Sequence, residues 1–223
     1  MAETDSPARP YTHEMVIIHR IFRRESQLLP RLVRAVPEGE LTRADEVAGL
    51  VEEYLGGLHN HHSTEDEMIW PLLLARVDLE ADLVRRMAAQ HDEIDQGLGA
   101  IRDLLPQWRR TAQVGPRDRL AELLDESRTA LLRHLDDEER QVLDLIAEHL
   151  TVAEWDAVGQ RGMAEVEPSK RLLALGAILE DATPAERRYF LGKVPVVARL
   201  LWALVGKRQY ARRADRVRSM LGD

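Results

Sequence analysis

The sequence predicts an all-α fold: an antiparallel four-helix bundle followed by additional C-terminal helices. Aromatic residues fill only 4% of 223 positions while Leu, Ala, Arg and Glu dominate, a composition that favours helices over sheets. Turn formers divide the first 150 positions into four long stretches with apolar residues at helical spacing. Two His-x-x-x-Glu pairs, His61 to Glu65 and His134 to Glu138, fall on the second and fourth stretches, where residues four apart stack on one helix face. Short connections force each helix back alongside the previous one, hence the antiparallel bundle.

The first helix is expected from about Thr12 to Val36, bent or interrupted at Pro30, and the Val-Pro-Glu-Gly turn from Val36 to Gly39 closes it. A second opens at Thr42, with Asp45 three residues on in a capping-box pattern, and runs to about Pro71–Val77. Its positions Val47, Leu50, Val51, Tyr54, Leu55 and Leu58 recur at helical spacing. A third spans about Leu79 to Arg110. The Gln-Val-Gly-Pro break from Gln113 to Pro116 leads to a fourth, ending near His149. Residues 11–150 thus read as the bundle and 151–223 as a helical extension packed on it. Thr151–Glu154 and Thr183–Glu186 read as capping boxes in that extension, with breaks near Glu167–Pro168, Pro184 and Pro195. Leu172, Leu173, Leu175, Ile178, Leu179, Phe190, Leu191, Val196, Val197, Leu200, Leu201, Trp202 and Leu204 are too many apolar groups for a disordered tail.

Composition narrows the chemistry. With no cysteine there is no disulfide, thiolate metal site or thiol nucleophile, so His and carboxylate are the available ligands, suited to iron, manganese or zinc. A net charge of −8 argues against a general nucleic-acid binder. From Ala182 to Asp223, however, ten Lys or Arg face three acids, a basic end that reads as a solvated face or a contact for an acidic partner or membrane surface. No stretch is apolar enough to cross a bilayer, and the N-terminus lacks the pattern of a secretory signal, so a cytoplasmic location is expected. A monomer or weak homo-oligomer is the expected state. There is no H-E-x-x-H, phosphate-loop or G-x-S-x-G pattern.

With acids at 39 of 223 positions, between one and two of the eight histidines should have an acid at i+4 by chance, and four do: His61, His62, His91 and His134. His62 and Asp66 lie about 100° round the helix from His61, so the two pairs are not both expected to face inward. On the first helix His13 competes with His19. His13 sits near the helix start, whereas His19 lies between Val16 and Phe22 on an apolar face and is preferred. His59 and His149 read as surface residues.

In chain order, His19, His61 with Glu65, His91, and His134 with Glu138 give one ligand-bearing motif per helix. In this pattern the chain resembles the hemerythrin-like, or HHE cation-binding, family of actinobacterial type. HHSTEDEMIWP from His61 to Pro71 looks like the family's second-helix motif, QHDEID from Gln90 like its third and HLDDEERQVL from His134 like its fourth. The Trp70-Pro71 landmark of that motif selects His61 over His62. Asp95 stands where oxygen-carrying members place a further His. The resemblance implies a four-helix bundle around two iron ions, joined by an oxo or hydroxo bridge and by carboxylates. Its ligands would be His19, His61, His91 and His134, with Glu65 and Glu138 bridging.

Tyr54 is a further candidate ligand and catalytic residue, because about 700° separates it from His61, close to two whole turns. Fewer imidazoles and an anionic phenolate would favour the ferric state. The expected function is therefore decomposition of hydrogen peroxide by a catalase-like di-iron oxidoreductase, with nitric oxide or related species as further substrates. The alternative is a protein that binds or senses oxygen or nitric oxide, or handles iron, without turnover.

Overall fold

The computed structural model describes residues 9–221. Four long helices form its body: α1 His13–Ala35, α2 Leu41–Met68, α4 Ala81–Thr111 and α5 Val114–Gln141, with the short α3 Trp70–Leu74 and α6 Leu143–His149 continuing α2 and α5. The four close a ring in which α1 packs on α2, α2 on α4, α4 on α5 and α5 back on α1. Each inner face follows a three–four alternation, the spacing that keeps one stripe of a helix turned toward its neighbours. On α1 that stripe is Met15, His19, Phe22, Ser26 and Leu29, all buried.

Several boundaries differ from the sequence expectation. Pro30 does not interrupt α1, which continues to Ala35; Pro30 is buried among Leu29, Leu32 and Val33, whose packing outweighs the loss of one backbone hydrogen bond. Thr42 does not cap α2. The turn at Gly39, with φ of 76°, hands the chain to Glu40 as first flanking residue, and Asp45 instead accepts from the Arg109 guanidinium at 2.6 Å. The break before α5 falls on Ala112, in the left-handed region, rather than on Gly115-Pro116, which lie inside the first turn of the helix. The Gly39 amide donates to the Ala112 carbonyl at 3.1 Å, joining the two turns at one end of the bundle.

Beyond residue 150 come α7 Val152–Ala164, α8 Arg171–Glu180, α9 Pro184–Lys193, α10 Val196–Leu201 and α11 Lys207–Arg218. Both capping boxes form: Thr151 and Thr183 each accept from the amide of the Glu three residues on, which answers with its own carboxylate. Glu186 also takes a two-pronged contact from Arg20 and a hydrogen bond from His13, fixing α9 to α1. The apolar residues of this region are not uniformly covered. Leu175, Ile178 and Leu179 are buried, whereas Val196, Val197, Leu200, Leu201 and Leu204 are exposed, because α10 packs chiefly on the helical turn that follows it and makes no extensive contact with the bundle. Among the described residues no helix is long and apolar enough to cross a membrane.

Inside the bundle the apolar core is split in two. One cluster runs from Phe22 to Val33 on α1 with Val36 just beyond it, Ala44 to Leu58 on α2, Ile94 to Trp108 on α4 and Leu120 to Leu135 on α5. The other holds Met15, Ile69–Val77, Val84, Met87 and Val142–Leu150, closed by Trp155 and Val158 of α7. A polar layer lies between them.

Candidate metal centre

That layer is made of residues occupying inward positions of the helical stripes where apolar side chains would otherwise stand. His19 interrupts the stripe of α1; His91 lies between Met87 and Ile94 on α4; His134 and Glu138 extend Leu120, Leu124 and Leu131 on α5. On α2 the buried run Ala44, Ala48, Val51, Leu55 and Leu58 continues in steps of three and four to His62 and Glu65. Five imidazoles and two carboxylates therefore converge, and their atoms form two groups, His19, His61, Glu65 and Glu138 in one and His62, His91 and His134 in the other, each with ligand atoms within 4.8 Å of one another.

The carboxylates link the two groups. Glu65 sets Oε1 3.3 Å from His61 Nε2 and Oε2 3.3 Å from His91 Nε2. Glu138 Oε2 lies 3.3 Å from His19 Nε2 and 3.7 Å from His134 Nε2. The paired Nε2 atoms are close, 3.1 Å between His19 and His61 and 3.1 Å between His91 and His134. Their far nitrogens are held from behind. His19 Nδ1 meets the Glu139 carboxylate at 2.9 Å, His91 Nδ1 meets Asp66 at 2.8 Å and His134 Nδ1 meets the Gln90 side-chain oxygen at 3.1 Å. Gln90 in turn donates to Asp137 at 3.1 Å. An imidazole whose Nδ1–H is donated outward presents the bare Nε2 lone pair inward, the arrangement that metal-binding histidines adopt.

Charge in this layer is poorly compensated. Burial lowers His19, but Glu138 and then Glu139 outweigh it and carry the imidazole up to about 9; for His91 burial is outweighed by Asp66 and Glu65, again to about 9. Burial, with His19 beside one and His91 beside the other, drives His61 and His62 well below the ordinary imidazole value. His134 falls to about 4 through burial and the proximity of His91, against the pull of Glu138. Burial and the neighbouring Glu138 charge push Glu65 up, whereas Glu138, despite burial, is held down by His19.

All four oxygens of Glu65 and Glu138, and His62 Nε2, are buried without a hydrogen-bond partner. Leaving such groups unsatisfied costs about 1–3 kcal/mol each. Cations held by the two groups would engage these atoms, so the donor set fits a metal site.

The six His and Glu ligands expected from the sequence stand together here, with His19 and not His13 representing α1: His13 is half exposed on Glu186. His59 is exposed and His149 partly so, as expected for surface positions.

The sequence expectation that His62 and His61 do not both face inward is corrected by the structure, where His62 is buried beside His91 and His134. The inner face of a bundle helix spans more than 100°, so adjacent residues both reach it. His61 turns toward α1 against the Phe22 ring, 5.0 Å away, while His62 stacks flat on His91 at 4.0 Å and 10°. Asp66, paired with His62 on spacing alone, serves His91.

Tyr54 is buried with its ring 6.4 Å from Phe22, and the charges that bear on its hydroxyl are those of Glu25 and Arg128, not of the His–Glu layer. It shares the azimuth of His61, but seven residues at 1.5 Å each place it about 10 Å farther down the axis. Burial raises its phenol well above the usual tyrosine value, which opposes a phenolate.

The family model described as the hemerythrin HHE cation binding domain matches residues 11–146, well over half of the chain. No curated protein and no solved structure matches.

Proposed function

This chain belongs to the hemerythrin HHE cation-binding family, and from that premise we propose that it is a di-iron protein that decomposes hydrogen peroxide. One iron is assigned to His19 and His61 and the other to His62, His91 and His134, with Glu65 and Glu138 shared between them. The observation that carries the assignment is the reach of both carboxylates from one histidine pair to the other while their oxygens find no hydrogen bond.

Bound iron supplies a Lewis acid and a redox couple. The chain's own residues bias which oxidation state rests there. Asp66 and Glu139 accept from two of the imidazoles, which makes those ligands more basic, and basic, oxygen-rich surroundings favour the ferric state. A ferric resting state suits disproportionation, in which one peroxide is reduced to two waters while a second is oxidised to oxygen and no outside reductant is consumed. Access is narrow: His61 and His62 are the slightly exposed members of a layer otherwise closed by both apolar clusters, so the substrate must be small. Nitric oxide meets the same requirement. Tyr54 is assigned a packing role beside Phe22 rather than a place on iron, and the reaction is placed in the cytoplasm.

A second reading has an observation of its own. His62 restores a fifth imidazole, and a site rich in neutral imidazoles suits reversible binding of oxygen or nitric oxide by the ferrous pair. The test is direct: iron-loaded protein is mixed with peroxide at an oxygen electrode, and the reduced protein is exposed to oxygen in a stopped-flow spectrometer. Rapid oxygen evolution supports the enzyme. Reversible, stoichiometric oxygen uptake without evolution from peroxide supports the binding protein.

A further inference from the structure

The rod that begins at Val196 presents an apolar face which the bundle does not use. It comprises α10, a π-helical turn at Trp202–Gly206 and α11, in unbroken succession. Its inner side is anchored. Gly206 is buried where an added Cβ would lie 2.7 Å from the Trp202 ring and 3.4 Å from Leu172, and Tyr210 crosses Gly176 of α8 to donate its hydroxyl to Glu180 at 2.5 Å. The opposite side is bare. Val197 is 70% exposed, Leu204 69%, Val196 61% and Leu200 58%, with Val205 and Leu201 close behind. Side chains of this kind within ten consecutive positions form a patch rather than scattered surface residues.

Charge identifies the occupant. Between Arg187 and Ala214 the sequence carries eight Lys or Arg and no acid, although the whole chain has a net charge of −8. Some of these are engaged: Lys193 with Glu14 and Asp156, Arg213 with Glu53. Arg188, Arg199, Lys207, Arg208 and Arg212 make no ion pair with the described residues. A second copy docking through the same face would set these cations against their own kind. The acidic remainder of a second copy offers charge but only scattered exposed apolar groups, such as Leu41 and Leu79. An anionic lipid surface offers both an apolar interior for the valines and leucines and headgroup charge for the cations at their margin. The apolar run is too short to span a bilayer, and the net negative charge of the rest of the chain keeps the bundle outward.

We propose that the segment from Val196 to Arg213 is a peripheral membrane-docking element that lays Val197, Leu200, Leu201 and Leu204 into the headgroup boundary of an anionic bilayer, with Lys207, Arg208 and Arg212 on its phosphates. The test is co-sedimentation of the full chain with phosphatidylcholine vesicles containing about 30% phosphatidylglycerol, against phosphatidylcholine alone. Binding to the anionic vesicles should exceed that to neutral ones by at least about tenfold. The Leu200→Asp/Leu204→Asp and Lys207→Glu/Arg208→Glu variants should each lower it by a similar factor, with helical circular dichroism unchanged. The proposal is overturned if the wild type ignores anionic vesicles, if both variants bind them like the wild type, or if the wild type is a solution dimer that Leu200→Asp/Leu204→Asp dissociates.

Discussion

Replacing His62 by Phe should stabilise the metal-free protein and weaken the metal-loaded one, and the opposite signs separate a ligand from a packing residue. The Phe ring keeps the flat stack on His91, which His62 makes at 4.0 Å. It also removes a buried Nε2 that has no hydrogen-bond partner, relieving on the order of 1 kcal/mol at the low end of the cost of an unsatisfied polar group. For a chain of this length that corresponds to a rise in the Tm of the metal-free protein of about 2–4 °C. Metal affinity moves the other way. Loss even of a group that only supports a ligand costs about 10–100-fold, and loss of a donor atom should cost at least the upper figure at the His91–His134 half. Calorimetric metal titration of chelator-treated protein, with thermal melts of the same samples, measures both. A lower Tm without metal together with unchanged stoichiometry and affinity would refute the assignment of His62 as a donor.

Further outcomes are expected. Tyr54→Phe should leave the visible spectrum of the iron-loaded protein unaltered, since the phenol lies about two turns from His61; disappearance of a charge-transfer band would put its oxygen on iron. Arg20, His13 and the Thr183 cap hold the Glu186 carboxyl far below its ordinary value of 4.5. Its stabilising contribution is complete above that value and declines as pH falls below it, so between pH 4.5 and 2 the wild type should lose stability more steeply than Glu186→Gln in denaturant melts. Parallel slopes would exclude that role. Gly39→Ala should cost about 1 kcal/mol, because φ of 76° is strained for any residue with a Cβ even though nothing crowds the site. An unchanged denaturation midpoint would show that the turn relaxes.

The convergence of His19, His61, Glu65, His91, His134 and Glu138 is legible because each falls beside an apolar stripe at a position where a buried imidazole or carboxylate needs a partner. The inward position of His62 is hidden from an argument that takes the helix face as a line, since that face is a band wider than about 100°. The run Ala44, Ala48, Val51, Leu55, Leu58 leads in steps of three and four to His62 and Glu65, so the stripe itself held the signal, and His61 is the residue at its edge. Tyr54 shows the complementary point: it shares the angle of His61 on α2, but angular agreement says nothing about distance along the axis. Thr151 and Thr183 could be read as caps because that chemistry is complete within four residues. Thr42 could not, since Gly39 and the demand of Arg109 on Asp45 decide where α2 begins. The exposure of Leu200 and Leu204 was invisible to periodicity, which finds an apolar face but not what lies against it.

The number and coupling of irons per chain in aerobically purified protein, read by elemental analysis with Mössbauer spectroscopy, bears most directly on the central claim that Glu65 and Glu138 join two metal-binding halves. Two irons per chain with a spin-coupled, diamagnetic ground state are predicted. A single iron, two magnetically independent irons, or a redox-inert metal at full occupancy would contradict it.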